Sequence, residues 1–307
     1  MTARTPTGPP IVTATGSAEA FRALGVLCEP PDPAHAVVAA ALDLDAWPAA
    51  ADDTGLFTTH LLPYAAVYVG PEGMLGGVAA DRVAGFWRAV GYDPPAEPDH
   101  LAALLGLYAA LSDAESGERD AARRLLRRQA RRALLWEHLL TWVPAYAAAV
   151  AANGSAVHAD WAALLTELLM LEAAELDPPG DGPQHLADVP PLPEPEEGID
   201  AFVRAVLTPV RSGLVISRSD LTRCARDLGL GARIGERAFV LGWLIDQDPA
   251  AVLAWIGDQA ARWASRHRTH LDLLGAFAGH WELRATATVA AANHRRLALL
   301  EVLSDVP

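Results

Sequence analysis

The residues best suited to chemistry stand together at Glu97-Pro98-Asp99-His100, directly before an apolar helical stretch that starts at Leu101. Two carboxylates beside an imidazole suit acid–base catalysis, metal binding or recognition of a cationic ligand. A carboxylate here also suits an ordinary helix start, because Asp accepts hydrogen bonds from the free amides of a first turn. We expect Asp99 to cap the helix that follows it and to present its charge beside Glu97 and His100.

Catalysis and metal binding both lack further partners in this sequence. His158 and Asp160 form the only other close pair, at a spacing that places them on different helix faces. Cys28 and Cys224 show no metal-like spacing, and no G-x-S-x-G motif supplies a nucleophile. Every one of the 24 basic residues is arginine, which excludes P-loop and Schiff-base lysines. The sequence therefore predicts no catalytic residue, no metal and no cofactor, and a protein that is not an enzyme.

The net charge and the hydropathy of the sequence limit the possible binding partners and the expected cellular location of the protein. The net charge of −14 repels nucleic-acid phosphates and favours a cationic partner. The first residues lack the apolar run of a signal peptide, and no later stretch offers about 18 uninterrupted apolar residues. We therefore expect a cytoplasmic protein without stable membrane insertion.

Apolar residues recur at every third and fourth position, and β-branched runs are scarce, which predicts an all-α fold. Predicted helices cover about residues 19–27, 34–44, 55–69, 79–91, 99–113, 118–152, 156–176, 196–207, 218–228, 234–246, 249–266, 268–281 and 281–303.

Seven prolines and three glycines interrupt this pattern over residues 177–198, where they forbid regular structure and predict a linker or a long surface loop. The expected organisation is a flexible N-terminus (1–16), a helical domain (17–176), the Pro/Gly-rich linker (177–198) and a second helical unit (199–307). Such a linker would permit exchange of units between two copies, and thus a homodimer.

Three segments together resemble the TorD/DmsD/NarJ family of redox-enzyme maturation chaperones. They are LLPYAAVYVGPEGML (61–75) with the helix VAGFWRAVGYD (83–93), EPDHLAALLGLYAAL (97–111), and HLLTWVPAY (138–146). Residues 97–111 resemble the family's Pro-Asp-His helix start, and residues 138–146 match a His-Leu-x-x-Trp-x-Pro-x-aromatic pattern. Their order and spacing in an acidic, helical chain carry the resemblance over residues 55–150.

The resemblance implies an all-α bundle of the TorD/DmsD type and a chaperone function. Family members bind the twin-arginine signal peptide of a molybdopterin-containing oxidoreductase precursor and hold it back until the cofactor is loaded. Such a leader has a cationic end and an apolar middle, which call for carboxylates and an aromatic groove. The expected peptide-binding residues are Glu97, Pro98, Asp99, His100, Tyr64, Tyr68 and Trp87, supported by His138, Trp142 and Pro144.

Two arginine-rich segments raise the alternative of nucleic-acid binding. Residues 217–245 could form a helix-turn-helix, with Arg223, Arg226, Arg233 and Arg237 available for phosphates. The run RRLLRRQARR (123–132) places six arginines on one half of a helix, which predicts a solvated face in a chain of this net charge. A DNA-binding regulator is thus the rival class, disfavoured by the acidic total charge.

Overall fold

The structure, a computed structural model, describes residues 14–48, 55–180 and 182–304. Residues 1–13 of the predicted flexible N-terminus lie outside this part, and residues 14–16 already belong to the first helix. The structure is 71% helical and has no strand within the described ranges, which confirms the all-α prediction.

The α-helices are α1 (Ala14–Val26), α2 (His35–Ala41), α3 (Ala65–Val69), α4 (Gly77–Ala89), α5 (Leu101–Gly117), α6 (Ala121–Ala133), α7 (Val143–Asn153), α8 (Ala156–Glu175), α9 (Gln184–Ala187), α10 (Ile199–Val206), α11 (Pro209–Ser212), α12 (Arg218–Asp227), α13 (Arg237–Gln247), α14 (Pro249–Arg268), α15 (Leu271–Leu274) and α16 (Ala276–Ser304). Two π-helical turns, Leu56–His60 and Leu134–Leu139, and a 3-10 turn, Pro195–Glu197, complete the regular structure.

Three of the predicted helices are broken where the sequence carries proline or glycine. The stretch predicted at 118–152 divides into α6, a π-helical turn and α7, because Pro144 lacks an amide hydrogen and fits only the first turn of a helix. The helix predicted at 55–69 is interrupted around Pro63, between the first π-helical turn and α3. The helix predicted at 268–281 is interrupted at Gly275, whose φ is 50°. Each prediction was wrong in continuity and correct in helical character.

The helices pack in pairs around one continuous apolar core. α1 lies along α5, α7 along α8, and α14 along α16. The core residues form a single connected cluster with members on both sides of residues 177–198. Trp281 of α16 donates its indole N–H to the Thr141 carbonyl over 2.8 Å, and the rings of Trp136 and Phe277 lie 5.0 Å apart. The division into separate units at 177–198 stays a prediction.

Gly213 lets α16 approach the start of the second helical half closely. Its φ of +74° is left-handed, and a Cβ there would lie only 2.3 Å from the backbone nitrogen of Ala285. Any side chain would therefore push α16 away. Thr288 and His267 complete this contact by hydrogen bonding to the carbonyls of Ser212 and Gly213.

The C-terminal half of the arginine run of α6 contacts the protein rather than the solvent. Arg131 is buried and pairs with Glu172 at 3.0 Å and Glu175 at 3.2 Å. Glu172 also accepts hydrogen bonds from Tyr108 and Ser17, so this ionic cluster joins α1, α5, α6 and α8. The prediction of a solvated face was therefore wrong for the buried part of the run.

The N-terminal half of α6 is exposed on both its apolar and its charged face. Leu125 and Leu126 are exposed, with Arg123 and Arg124 exposed beside them. A helix oriented in this way leaves an apolar face without an intramolecular partner.

Arginines also fasten the Pro-rich segment to the helices. Proline has no amide hydrogen, so its stretch of chain leaves carbonyl oxygens that need donors from elsewhere. Arg132 donates to the carbonyls of residues 177 and 178, and Arg284 donates to those of 189 and 190. Arg211 and Arg295 donate in the same way to Pro191 and Pro193. Guanidinium groups thus replace the missing backbone partners.

Candidate functional site

The site begins where the first turns of α3 and α5 meet. Tyr64 and His100, the residues before these helices, form an isolated antiparallel bridge. The amide of Ala65 donates to the Asp99 carbonyl over 3.0 Å, and the amide of Leu101 donates to the Pro63 carbonyl over 2.7 Å. Each helix therefore receives an acceptor for one of its free amides from the segment preceding the other helix.

Asp99 is 4% exposed and caps the neighbouring helix rather than its own. Its carboxylate accepts a hydrogen bond from the Ala66 amide, in the first turn of α3, over 3.0 Å. The expectation that Asp99 caps α5 was wrong: His100 occupies that position, and its Nδ1 accepts from the Ala102 amide. Burial raises the pKa of Asp99, opposed by the hydrogen bond from Ala66.

His100 is half-buried, with its ring edge-on to Tyr64 at a centroid distance of 4.8 Å. Burial lowers the pKa of His100, while the nearby carboxylates of Glu97, Glu29 and Asp99 oppose that shift. Because Nδ1 accepts a backbone hydrogen bond, the proton of the neutral ring sits on Nε2. His100 is thus held in one orientation by its own helix.

A cleft of about 640 Å³ opens in front of this junction. Its lining includes Glu29, Phe57, Leu62, Tyr64, Glu97 and His100. We call it the His100 cleft. Three of the expected peptide-binding residues therefore meet in one cavity, with exposed carboxylates from two distant parts of the chain.

Tyr64 links the aromatic and acidic sides of the His100 cleft. Burial, followed by its hydrogen bond to the Glu97 carboxylate, raises the pKa of Tyr64 to about 12, so the hydroxyl stays protonated near neutral pH. Glu97 itself is exposed and keeps acceptor positions open for a second donor. The geometry suits a ligand that brings a cationic donor and an apolar group.

Glu29 was missed by the sequence analysis. It follows α1 in the stretch Cys28-Glu29-Pro30-Pro31, where an acid precedes prolines much as in Glu97-Pro98. That repeated acid-proline pattern was a signal that could have been read. The apolar lining by Phe57 and Leu62 had no such signal, because it depends on how the first π-helical turn packs.

Tyr68 and Trp87 do not line the His100 cleft. Tyr68 is 2% exposed and stacks on Trp142 with ring centroids 5.2 Å apart, inside the core. Trp87 is half-buried, and its indole donates to the Pro98 carbonyl over 3.1 Å. Trp87 thereby fixes the approach to α5, and Pro98 contributes through its backbone.

The three supporting residues lie behind the junction. Trp142 is fully buried, as expected, and donates its indole N–H to the His138 carbonyl over 2.8 Å. His138 packs against Phe86, and burial lowers its pKa to about 4, aided by the nearby positive charge of Arg82. Pro144 lies in the first turn of α7.

Two further kinds of site, a metal centre and a membrane-spanning helix, can be checked over the described residues. Over residues 14–48, 55–180 and 182–304, no three His, Cys, Asp or Glu side chains are grouped closely enough to hold a metal ion. Within the same ranges, none of the helices combines the length and apolarity needed to cross a bilayer.

The segment 217–245 does not have helix-turn-helix geometry. α12 ends at Asp227 and α13 begins only at Arg237, whereas a DNA-binding motif joins its helices by a turn of about three to four residues. Arg237 donates to the Ile216 carbonyl, and Arg233 lies 3.6 Å from the centre of the Trp243 ring. Both arginines are therefore engaged within the protein.

Comparison with known families gave one match. Residues 35–148 match the family described as "Nitrate reductase delta subunit". The match includes the α3–α5 junction and the supporting residues, and it confirms the resemblance noted from the sequence. Comparisons with curated proteins and with solved structures each gave no match.

Proposed function

We propose that this chain binds the twin-arginine signal peptide of an oxidoreductase precursor, because its residues 35–148 match the nitrate reductase delta subunit family, a family of molybdoenzyme maturation chaperones. The client is a molybdopterin-containing enzyme, and binding assists its maturation before export or assembly. Binding takes place in the cytoplasm, where such precursors fold and receive their cofactor. The protein acts by binding and performs no catalytic step.

The observation that carries the proposal is the pair of exposed carboxylates in one partly aromatic cleft. Glu29 and Glu97 both line the His100 cleft, and the negative charge of each favours a higher pKa of His100. Two arginine side chains of a leader thus have two separate carboxylates to pair with, through charge-assisted hydrogen bonds. Phe57 and Leu62 offer apolar contact to the residues that follow.

Asp99 has a different part in this proposal from the one expected from the sequence. Its carboxylate is buried and occupied by the Ala66 amide, so it positions α3 and α5 rather than contacting arginine. Pro98, held by Trp87, fixes the segment that carries Glu97. Tyr68, His138, Trp142 and Pro144 support the cleft from behind without touching the peptide.

The test is the affinity of a synthetic twin-arginine leader for the full chain, beside a twin-glutamine version of the same peptide. Glu97→Gln and Glu29→Gln should each weaken leader binding by about tenfold, because each removes one charge-assisted hydrogen bond. Neither should change binding of the twin-glutamine peptide much.

Asp93→Asn is the matched control, since Asp93 is an exposed acid in the same loop as Glu97 but does not line the cleft. It removes the same unit of charge and should leave the leader affinity within about twofold. If Glu97→Gln and Glu29→Gln behave like Asp93→Asn, the leader does not bind in this cleft. Purification from the native host should recover an oxidoreductase precursor.

A further inference from the structure

A second cleft lies among the C-terminal helices, outside the residues that match the family. It has a volume of about 570 Å³ and lies between the start of α10, the end of α13, the start of α14 and the last third of α16. Its apolar lining includes Ile199, Ile245, Pro249, Ala298 and Leu299. We call it the Ile199 cleft.

The apolar surface of the Ile199 cleft continues into solvent. Ile199 itself is 40% exposed, and Ala298 of α16, which lines the same cleft, is exposed as well. Aliphatic groups gathered in this way around a concavity are typical of a site that binds an apolar partner.

The rim of the Ile199 cleft is acidic. Asp246 lines it and is exposed, and Pro195, which also lines it, stands between the exposed Glu194 and Glu196 in the chain. Arg295 is the arginine among the described lining residues, and it already has partners within the protein. Its guanidinium donates to the Pro193 carbonyl and lies 4.2 Å from the centre of the Phe202 ring.

We propose that the Ile199 cleft binds a basic amphipathic helix of a partner protein. The apolar face of such a helix fills the cleft, and its arginines or lysines meet the acidic rim. A helix fits better than an extended peptide, because the described residues include no sheet edge to which a strand could be added. The inference does not rest on leader binding in the His100 cleft.

Among the described residues, the N-terminal half of α6 has similar chemistry. It presents Leu125 and Leu126 together with Arg123 and Arg124. A second copy of the protein is therefore the competing occupant. The net charge of −14 on each copy opposes that association, whereas it favours a basic partner.

The test uses a fluorescein-labelled peptide of about three helical turns, with leucines on one face and arginines on the other. Its anisotropy is measured against the full chain, beside a matched peptide with glutamates in place of the arginines. The arginine peptide should bind at least about tenfold more tightly than the glutamate peptide, because like charges at the rim repel the latter.

Two variants place the binding at the cleft. Ile199→Ser removes apolar contact and should weaken binding by about fivefold or more. Glu196→Gln combined with Asp246→Asn removes two rim charges and should weaken binding by about threefold to tenfold, and lessen its salt dependence. All three side chains are exposed, so the fold should tolerate the changes, as a melting curve would verify.

Leu283→Ser is the matched apolar control, since Leu283 is 66% exposed on α16 and does not line the cleft. If Ile199→Ser binds the arginine peptide as tightly as Leu283→Ser does, the proposal is wrong. It is also wrong if Glu97→Gln, rather than Ile199→Ser, abolishes binding, because the peptide then sits in the His100 cleft. Analytical ultracentrifugation of the protein without peptide tests whether a second copy occupies the cleft. A dimer that dissociates in the Ile199→Ser variant would identify the second copy as the occupant and contradict the proposal.

Ile199→Ser should leave the affinity for the twin-arginine leader unchanged. Failure of this inference and failure of the proposed function are therefore separate outcomes.

Discussion

The carboxylate of Asp99 accepts a hydrogen bond from the backbone amide of Ala66, 33 residues earlier in the chain. This bond joins the first turns of two helices, and the half-buried side chain of His100 caps the second of them. The two helix starts are consequently fixed relative to each other before any ligand arrives, which lowers the ordering cost of binding.

We predict that Asp99→Ala destabilises the protein by about 0.5–2 kcal/mol, because the first turn of α3 loses its cap. Asp99→Asn should cost less, since the amide oxygen can still accept from Ala66. Burial raises the pKa of Asp99, so the stability that this group contributes is full below its unfolded pKa and decreases as the pH rises through the folded pKa. Urea unfolding should therefore show Asp99→Asn improving relative to the parent protein from acidic to neutral pH. A constant difference across that range would contradict the assignment.

Arg131→Met should destabilise the protein by about 3–5 kcal/mol, because it leaves Glu172 buried without its ion-pair partner. Arg124→Met is the control on the same helix, where the side chain is exposed, and it should change the free energy of unfolding by less than about 0.5 kcal/mol. Adding Glu172→Gln to Arg131→Met should recover part of the loss. Equal melting temperatures for Arg131→Met and Arg124→Met would show that the buried cluster contributes little.

The stability of the protein should fall as the pH drops from about 6.5 towards 4. Burial lowers the pKa of His267 from 6.5 to about 4, opposed by its hydrogen bond to the Gly213 carbonyl and aided by the charges of His270, Arg266 and His280. The unfolded chain therefore takes up this proton first, and stability is lost over that window by up to about 3 kcal/mol.

His267→Gln keeps a donor for Gly213 without a titrating group, so its unfolding free energy should depend less steeply on pH. His294→Gln, on the exposed face of α16, is the control and should follow the parent protein. Parallel pH profiles for the parent and His267→Gln would argue against this origin of the acid sensitivity.

Trp281→Phe should destabilise the protein by about 1–3 kcal/mol, because the buried Thr141 carbonyl loses its donor. Since this bond crosses from α16 to the segment before α7, the loss should affect both halves of the chain. Unfolding followed by tryptophan fluorescence and by far-ultraviolet circular dichroism should give coincident transitions in the parent protein. Two separated transitions would instead support independent units on either side of residues 177–198.

Local sequence signals were sufficient for the fold class, because periodicity acts over a few residues. Proline spacing directed attention to the segment around Glu97 and His100, where the site is proposed. They could not distinguish Asp99 from His100 as the cap of α5. That choice depends on the Ala66 amide, which tertiary packing brings to Asp99. For the same reason Tyr68, which shares a motif with Tyr64, was expected at the surface although it stacks on Trp142 in the core.

The arginine run of α6 illustrates a second limit. A helical wheel separates its charged half from its apolar half correctly, but it does not say which half faces the protein. Glu172 and Glu175 on α8 decide the orientation, and no local pattern connects them to Arg131. Glu29 likewise lines the His100 cleft because α1 packs along α5, and no local sequence pattern indicates that contact.

The guanidinium contacts along residues 177–193 have a kinetic consequence. A proline-rich linker was expected to permit domain swapping, in which two copies exchange their C-terminal helices. In this structure, four arginines must first break their hydrogen bonds to backbone carbonyls of the linker. Opening the molecule for domain swapping would also expose the buried side chains of Trp281 and Phe277 to water. Folded monomers and any domain-swapped dimers should therefore interconvert slowly. Their ratio should depend on the protein concentration during folding rather than on the concentration at which the sample is later stored.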